Sequence, residues 1–240
     1  MTDRQVTITH TGEKFPSSRR EIEYLPIEPP APGHACPVGD GILWARIPLP
    51  MELTHINVWL MDDGDSWALV DTGMALDSCR EAWHTLERDT LGGKPLRRIF
   101  VTHDHPDHMG LSPWLQQRHG AKVWMSAAAH GSVTEFLATE PAAIEARMRA
   151  FLASHGLTQD PGTAARATFR HDEWFGGTPV LDAAPEDGDT FGAARRRWQL
   201  IETGGHCRGH LCLYDADGRV LVCGDQVLPT ISPNVSVLSS

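Results

Sequence analysis

Apolar and polar positions divide the chain into two strand-rich stretches with a helical stretch between them. HINVWLM at 55–61 and WALV at 67–70 are short apolar runs around the acidic turn Asp62-Asp63-Gly64-Asp65, the pattern of a hairpin. The period then changes. Cys79, Ala82, Trp83 and Leu86 recur at the spacing of one helix face, and Gly92-Gly93 end the run. LRRIFV at 96–101 predicts a strand, WLQQRH at 114–119 a helix stopped by Gly120, and KVWM at 122–125 another strand. Residues 126–177 read as a mostly helical insert. It is best defined where Ile144, Met148, Phe151 and Leu152 share a face between Pro141 and Gly156. Strands return at WQLIE (198–202), LCLY (211–214) and VLVC (220–223), the last two around the turn Asp215-Ala216-Asp217-Gly218. Residues 1–40 carry prolines at 26, 29, 30, 32 and 37, so an irregular arm is expected there. The remainder, 41–240, predicts one α/β domain of layered sheets and helices.

Composition narrows this only a little. A chain of 240 residues, 41% hydrophobic, can bury a sizeable core. Its formal charge of −10 argues against a nucleic-acid partner, and the one basic cluster, Arg195-Arg196-Arg197, reads as a solvated strand edge. No apolar run approaches the ~20 residues that span a bilayer, so no membrane partner is expected. The first residues, MTDRQVTITHTGEKF, lack the apolar centre of a secretory signal. Five cysteines, an odd number with no C-x-x-C pair, make a reduced, cytoplasmic setting the expectation.

The chemistry is concentrated in VTHDHPDHMG at 101–110. Imidazole and carboxylate are the ligands that a divalent ion such as zinc selects. His103 and His105, two apart on a strand end, point to the same side and can share an ion. Pro106 then turns the chain, so Asp107 and His108 can face a second position. One loop cannot complete a metal site. The distant candidates are His206 in the glycine-rich GGHCRGH (204–210) and Asp225 in VCGDQ (222–226), where a strand-end carboxylate can bridge two ions.

These motifs, in this order, resemble the metallo-β-lactamase superfamily, and within it the glyoxalase II-like (hydroxyacylglutathione hydrolase-like) branch. Asp71-Thr72-Gly73 matches the family's Asp-Thr-Gly, 103–108 its H-x-H-x-D-H, 205–210 its G-H-x-x-G-H, and Gly224-Asp225 its Gly-Asp. The resemblance implies an αβ/βα sandwich of two mixed sheets with helices outside. It implies that His103, His105 and His206 hold one ion, that Asp107 and His108 hold a second, and that Asp225 bridges them. Zinc is the implied cofactor, as one or two ions, with iron or manganese as substitutes. The implied reaction is hydrolysis of a small ester, thioester or lactone by a metal-bound hydroxide, with Asp107 as the catalytic proton carrier. A one-iron persulfide dioxygenase using His103, His206 and Asp225 is the rival chemistry. Relatives also carry a final histidine beyond the Gly-Asp strand, and no histidine follows His210 here. The expectation is therefore a domain truncated at its C-terminal end, with an incomplete second site, an uncovered sheet edge and, as a third reading, no activity.

Other polar residues have plainer readings. Asp71 is expected to support the site without ligating, Asp104 to point away, and His210 to act as a hydrogen-bonding partner. Cys207 and Cys223 read as small buried side chains. His55 and His119 fall on a strand and a helix end, and His84, His130 and His171 lack paired spacing, so each reads as a surface or core residue. Trp44, Trp59 and Trp114 read as packing residues.

Overall fold

The computed structural model describes residues 23–156 and 172–235. Much of the expected arm, part of the insert with His171, and residues 236–240 lie outside that range. Seven strands make the larger sheet, in sequence order: β1 (Ala35–Gly39), β2 (Ile42–Pro48), β3 (His55–Asp62), β4 (Trp67–Val70), β5 (Leu96–Phe100), β6 (Lys122–Trp124) and β7 (Leu181–Ala183). The first four are antiparallel neighbours joined by short turns, whereas β4 to β7 run parallel. Parallel pairing needs crossovers, and the helices supply them. α1 (Asp77–Asp89) links β4 to β5, while α2 (Pro106–Met109) and α3 (Ser112–His119) link β5 to β6. α4 (Ala127–Ala138) and α5 (Pro141–Ser154) lie in the insert before β7.

The second sheet contains β8 (Thr190–Ala193), β9 (Arg196–Thr203), β10 (His210–Asp215) and β11 (Val220–Val222), in the order β11-β10-β9-β8. It is antiparallel throughout, because every connection within it is a hairpin-length loop. Two mixed sheets were expected; only the seven-stranded one is mixed. The irregular arm, expected through residue 40, ends sooner, because Ala35–Gly39 pairs with β2 as an edge strand. Pro37 is tolerated there because an edge strand has a row of backbone groups that need no partner.

β4 shows how the layers are built. All four of its residues are buried, and they alternate between two cores. Trp67 and Leu69 join the cluster on the helix side with Trp83 and Leu86 of α1 and Leu115 of α3. Ala68 and Val70 face the second sheet and meet Phe100, Phe191, Trp198, Leu200 and Leu213. No helical residue among those described contributes to the inter-sheet core. Leu221, on the edge strand β11, is 48% exposed. None of the described helices is long and apolar enough to cross a membrane.

Arg195 and Arg197 are exposed, as expected of a solvated cluster, and Arg196 alone departs from that role. Residues 194 and 195 form the tight β8–β9 turn, and Arg196 turns inward to pair with the buried Asp215 at 2.7 Å. A buried carboxylate requires such a partner.

Between β4 and α1 the chain turns sharply through Asp71-Thr72-Gly73. Asp71 and Gly73 have φ of 63° and 94°, in the left-handed region. A Cβ on Gly73 would lie 2.6 Å from Ile47 Cγ2, so glycine is required by both space and conformation. The turn clamps α2 by its backbone. The Thr72 amide and hydroxyl both donate to the His108 carbonyl, at 2.7 and 2.8 Å, and the Leu111 amide donates to the Gly73 carbonyl. Trp83 Nε1 donates to the Thr72 carbonyl at 2.7 Å and ties the turn to the core. Gly73→Ala is expected to destabilise the fold by about 1–3 kcal/mol, the usual cost of overpacking plus left-handed strain. Denaturant unfolding measures this directly, and an unchanged midpoint would contradict it.

Candidate metal centre

Four chain segments end at one edge of the two sheets. His103 and His105 follow β5, Asp107 and His108 sit in the single turn of α2, His206 lies in the β9–β10 loop, and Asp225 follows β11. The structure brings all six together. His103, His105, His206 and Asp225 form one group of donors, and Asp107, His108 and Asp225 form a second. Within each group the ligand atoms lie within 4.8 Å of one another. His103 and His206, 103 positions apart in sequence, approach to 3.3 Å between their Nε2 atoms, and His206 Nε2 is 3.0 Å from His105 Nδ1. Asp225 divides its oxygens between the groups: Oδ1 is 3.2 Å from His108 Nε2, and Oδ2 is 3.6 Å from His206 Nε2. Asp107 Oδ2 stands 3.5 Å from His108 Nε2.

Neighbours orient these rings. His206 Nδ1 is 2.9 Å from the Asn234 carbonyl oxygen, which can only accept. The proton of a neutral His206 is therefore on Nδ1, and Nε2 turns a lone pair towards His103 and His105. On the other side, Asp71 is 2% exposed and does not join either donor group. Its Oδ1 accepts from the Thr102 amide at 2.8 Å, and its Oδ2 accepts from His108 Nδ1 at 2.8 Å. Asp71 thus holds His108 by the ring nitrogen opposite the one that faces Asp107 and Asp225. Sequence reasoning did not single out Thr102 or Asn234. Thr102 sits directly before the histidine run, which is the one signal that could have drawn attention to it; a main-chain carbonyl such as that of Asn234 leaves none.

His210 also sits at this edge, fully buried, and stacks on His103 with ring centroids 5.0 Å apart. Its Nδ1 meets the Thr203 hydroxyl at 3.1 Å. A Cβ on Gly224 would lie 2.6 Å from His210 Nε2, so glycine before Asp225 makes room for that ring. Asp104 lies outside both groups; its carboxylate is against Cys207, whose thiol is pushed up by burial and by Asp104. Trp44 and Trp59 stack as a cross-strand pair, a packing role.

A sequence profile described as the metallo-beta-lactamase superfamily matches residues 51–238. Among curated proteins, the acyl-coenzyme A thioesterase MBLAC2 of Bos taurus is 27% identical over 197 residues, 79% of this chain and 64% of that protein. A hydroxyacylglutathione hydrolase of Rhizobium johnstonii is 26% identical over 180 residues, 73% of this chain and 52% of that protein. The chain thus spans roughly half to two thirds of these relatives' length. A beta-lactamase domain protein from Burkholderia ambifaria has a TM-score of 0.72 at 30% identity, covering 87% of this chain and 61% of that one. A metallo-beta-lactamase family protein from Thermus thermophilus has a TM-score of 0.65 at 27% identity, covering 83% and 64%.

Burial and crowding set the histidines apart in charge. Burial, aided by the other imidazoles, holds His103 well below the ordinary value of 6.5, lowers His105, and brings His210 to about 4. Burial also opposes charge on His108, but Asp107, Asp71 and Asp225 outweigh it and raise that group well above 6.5. Asp225 is held at about 2 by His108 and His206 against its own burial. The three depressed histidines favour the fold above 6.5 and lose that share as pH falls below it, because the unfolded chain takes up their protons first. The raised His108 favours the fold below 6.5, and its share is lost as pH rises through its folded value. Metal-stripped protein should therefore melt highest near pH 6.5 and lower on either side. Thermal melts in chelator across pH 4–9 test this; a Tm that keeps rising above pH 7 would contradict it.

Proposed function

The chain belongs to the metallo-beta-lactamase superfamily, and from that premise we propose that it is a metal-dependent hydrolase of a small thioester or lactone. His103, His105 and His206 would hold one divalent ion, Asp107 and His108 a second, and Asp225 both. The observation that carries this reading is the convergence of two donor groups on one carboxylate whose oxygens are divided between them.

The donors also fit such an ion. Zinc–nitrogen bonds of about 2.0–2.1 Å in a tetrahedron put neighbouring donor atoms ~3.3–3.4 Å apart. The separations around His206 Nε2 are 3.0, 3.3 and 3.6 Å. A lone pair on His206 aimed at two other ring nitrogens is unfavourable unless a cation or a proton lies between them. Soft thiolate ligands are absent from both donor groups, and the imidazole–carboxylate mixture suits zinc, with iron or manganese as substitutes.

An ion held there supplies Lewis acidity, bringing the ionisation of water towards neutral pH and drawing charge from a carbonyl. The chain's own residues supply the rest. Asp225 is ionised down to about pH 2, so it offers a negative charge at any physiological pH. His108 is held by Asp71 on one face and meets Asp107 and Asp225 on the other. Asp107, 17% exposed at its side chain, would carry a proton from water towards the leaving group. A thiolate needs little such help, because thiols ionise near 8.5. That favours thioesters, as does similarity to relatives named for acyl-coenzyme A and hydroxyacylglutathione.

Elemental mass spectrometry on the purified chain should find close to two zinc per chain, and a panel of acyl thioesters and lactones should be hydrolysed in a chelator-sensitive manner. His103→Ala should cut kcat/KM by at least about a thousandfold, the loss of several kcal/mol of transition-state stabilisation, while the fold is retained. Undiminished hydrolysis by that variant would overturn the assignment. One iron per chain with oxygen uptake on a persulfide would replace it.

A further inference from the structure

Thr102 stands at the end of β5, 1% exposed, immediately before His103. Its hydroxyl oxygen lies 2.9 Å from Asp71 Oδ2 and 2.9 Å from His103 Nδ1. A hydroxyl has one proton to give and lone pairs to accept with, and an ionised carboxylate can only accept. The Thr102 proton therefore goes to Asp71. The hydroxyl oxygen must then accept from His103, which places the imidazole proton on Nδ1 and a lone pair on Nε2. That Nε2 is the atom 3.3 Å from His206 Nε2.

We propose that Thr102 is a positioning residue that relays the Asp71 carboxylate to His103, so that one buried carboxylate sets both halves of the metal centre. Asp71 acts on His108 directly, through Nδ1, and on His103 through the Thr102 hydroxyl. In both rings Nδ1 carries a proton and Nε2 is turned inward. Space around the relay is tight, since a Cβ on Gly224 would come within 3.0 Å of Thr102 Oγ1. A side chain at 224 would meet the His210 ring first and crowd the Thr102 hydroxyl next, so the relay and the Gly-Asp turn carrying Asp225 constrain each other. The inference rests on the metal-centre reading, but the relay itself is a property of the metal-free chain.

The test uses the full chain with Thr102→Val, which keeps the shape and removes the hydroxyl, and Thr102→Ser, which keeps the hydroxyl. Long-range proton–nitrogen NMR of the metal-free protein reads the tautomer of each ring. Wild type and Thr102→Ser should show His103 protonated at Nδ1, whereas Thr102→Val should lose that signature and leave His108 unchanged. Zinc affinity, from competition with a chelator, should fall about 10–100-fold in Thr102→Val, as for loss of other outer partners of a ligand, and stay within about threefold in Thr102→Ser. Asp71→Asn should disturb both rings. A wild-type His103 protonated at Nε2 would overturn the proposal even if the valine variant failed to fold, as would equal losses in the valine and serine variants. A wild type that shows the Nδ1 tautomer but binds no zinc would overturn the metal reading and leave the relay standing.

Discussion

The structure depends on the burial of one carboxylate. Asp71 is 2% exposed, and a charge in that setting is tolerated only when its oxygens are supplied with donors. It receives them from the Thr102 amide, the Thr102 hydroxyl and His108 Nδ1. Those three bonds tie the end of β4 to the end of β5 and to α2, elements the chain reaches at very different points. Satisfying the carboxylate and building the site are the same event. The left-handed conformation of Asp71 follows from this, since the chain must turn there to put the side chain inward while the backbone continues into α1.

A second constraint comes from the two sheets. They share a core of Val70, Phe100, Trp198, Leu200 and Leu213, which fixes their spacing but carries no polar chemistry. At the metal edge the Leu211 amide donates to the Thr102 carbonyl at 2.8 Å, a backbone bond from β10 to the end of β5. It sets the β9–β10 loop, with His206, against the histidines that follow β5. Thr102 therefore contributes its amide to Asp71, its carbonyl to Leu211 and its hydroxyl to both Asp71 and His103. Apolar packing brings the sheets together, and this polar seam decides which residues face each other.

Order at the opposite edge has a different origin. There the tight β8–β9 and β10–β11 turns meet, and Arg196 neutralises Asp215, itself 2% exposed. A run of three arginines looks uniform in sequence, yet only the middle one turns inward: Arg195 lies in the turn, and alternation along β9 puts Arg196 and Arg197 on opposite sides.

Much of this was legible in the sequence. Alternation and helical spacing located β3, β4, α1, β5, α3, β9 and β10, since each has a face that must be buried. The density of histidine and aspartate at 103–108, with His206 and Asp225 far along the chain, named the six donors. Strands β1, β2, β7 and β8 were not read: β1, β7 and β8 are edge strands, which gain their identity from pairing and need no strong pattern, and β2, an interior strand, runs into Pro48. The sequence by itself determined which residue types could bind a metal and where strands must end to present them. Only the tertiary structure decided that Asp225 divides its oxygens between two groups, and that Thr102 and the Asn234 carbonyl orient the rings. The physical reason is that hydrogen-bond direction and donor separation depend on how segments more than a hundred residues apart are packed, and local pattern carries no record of that.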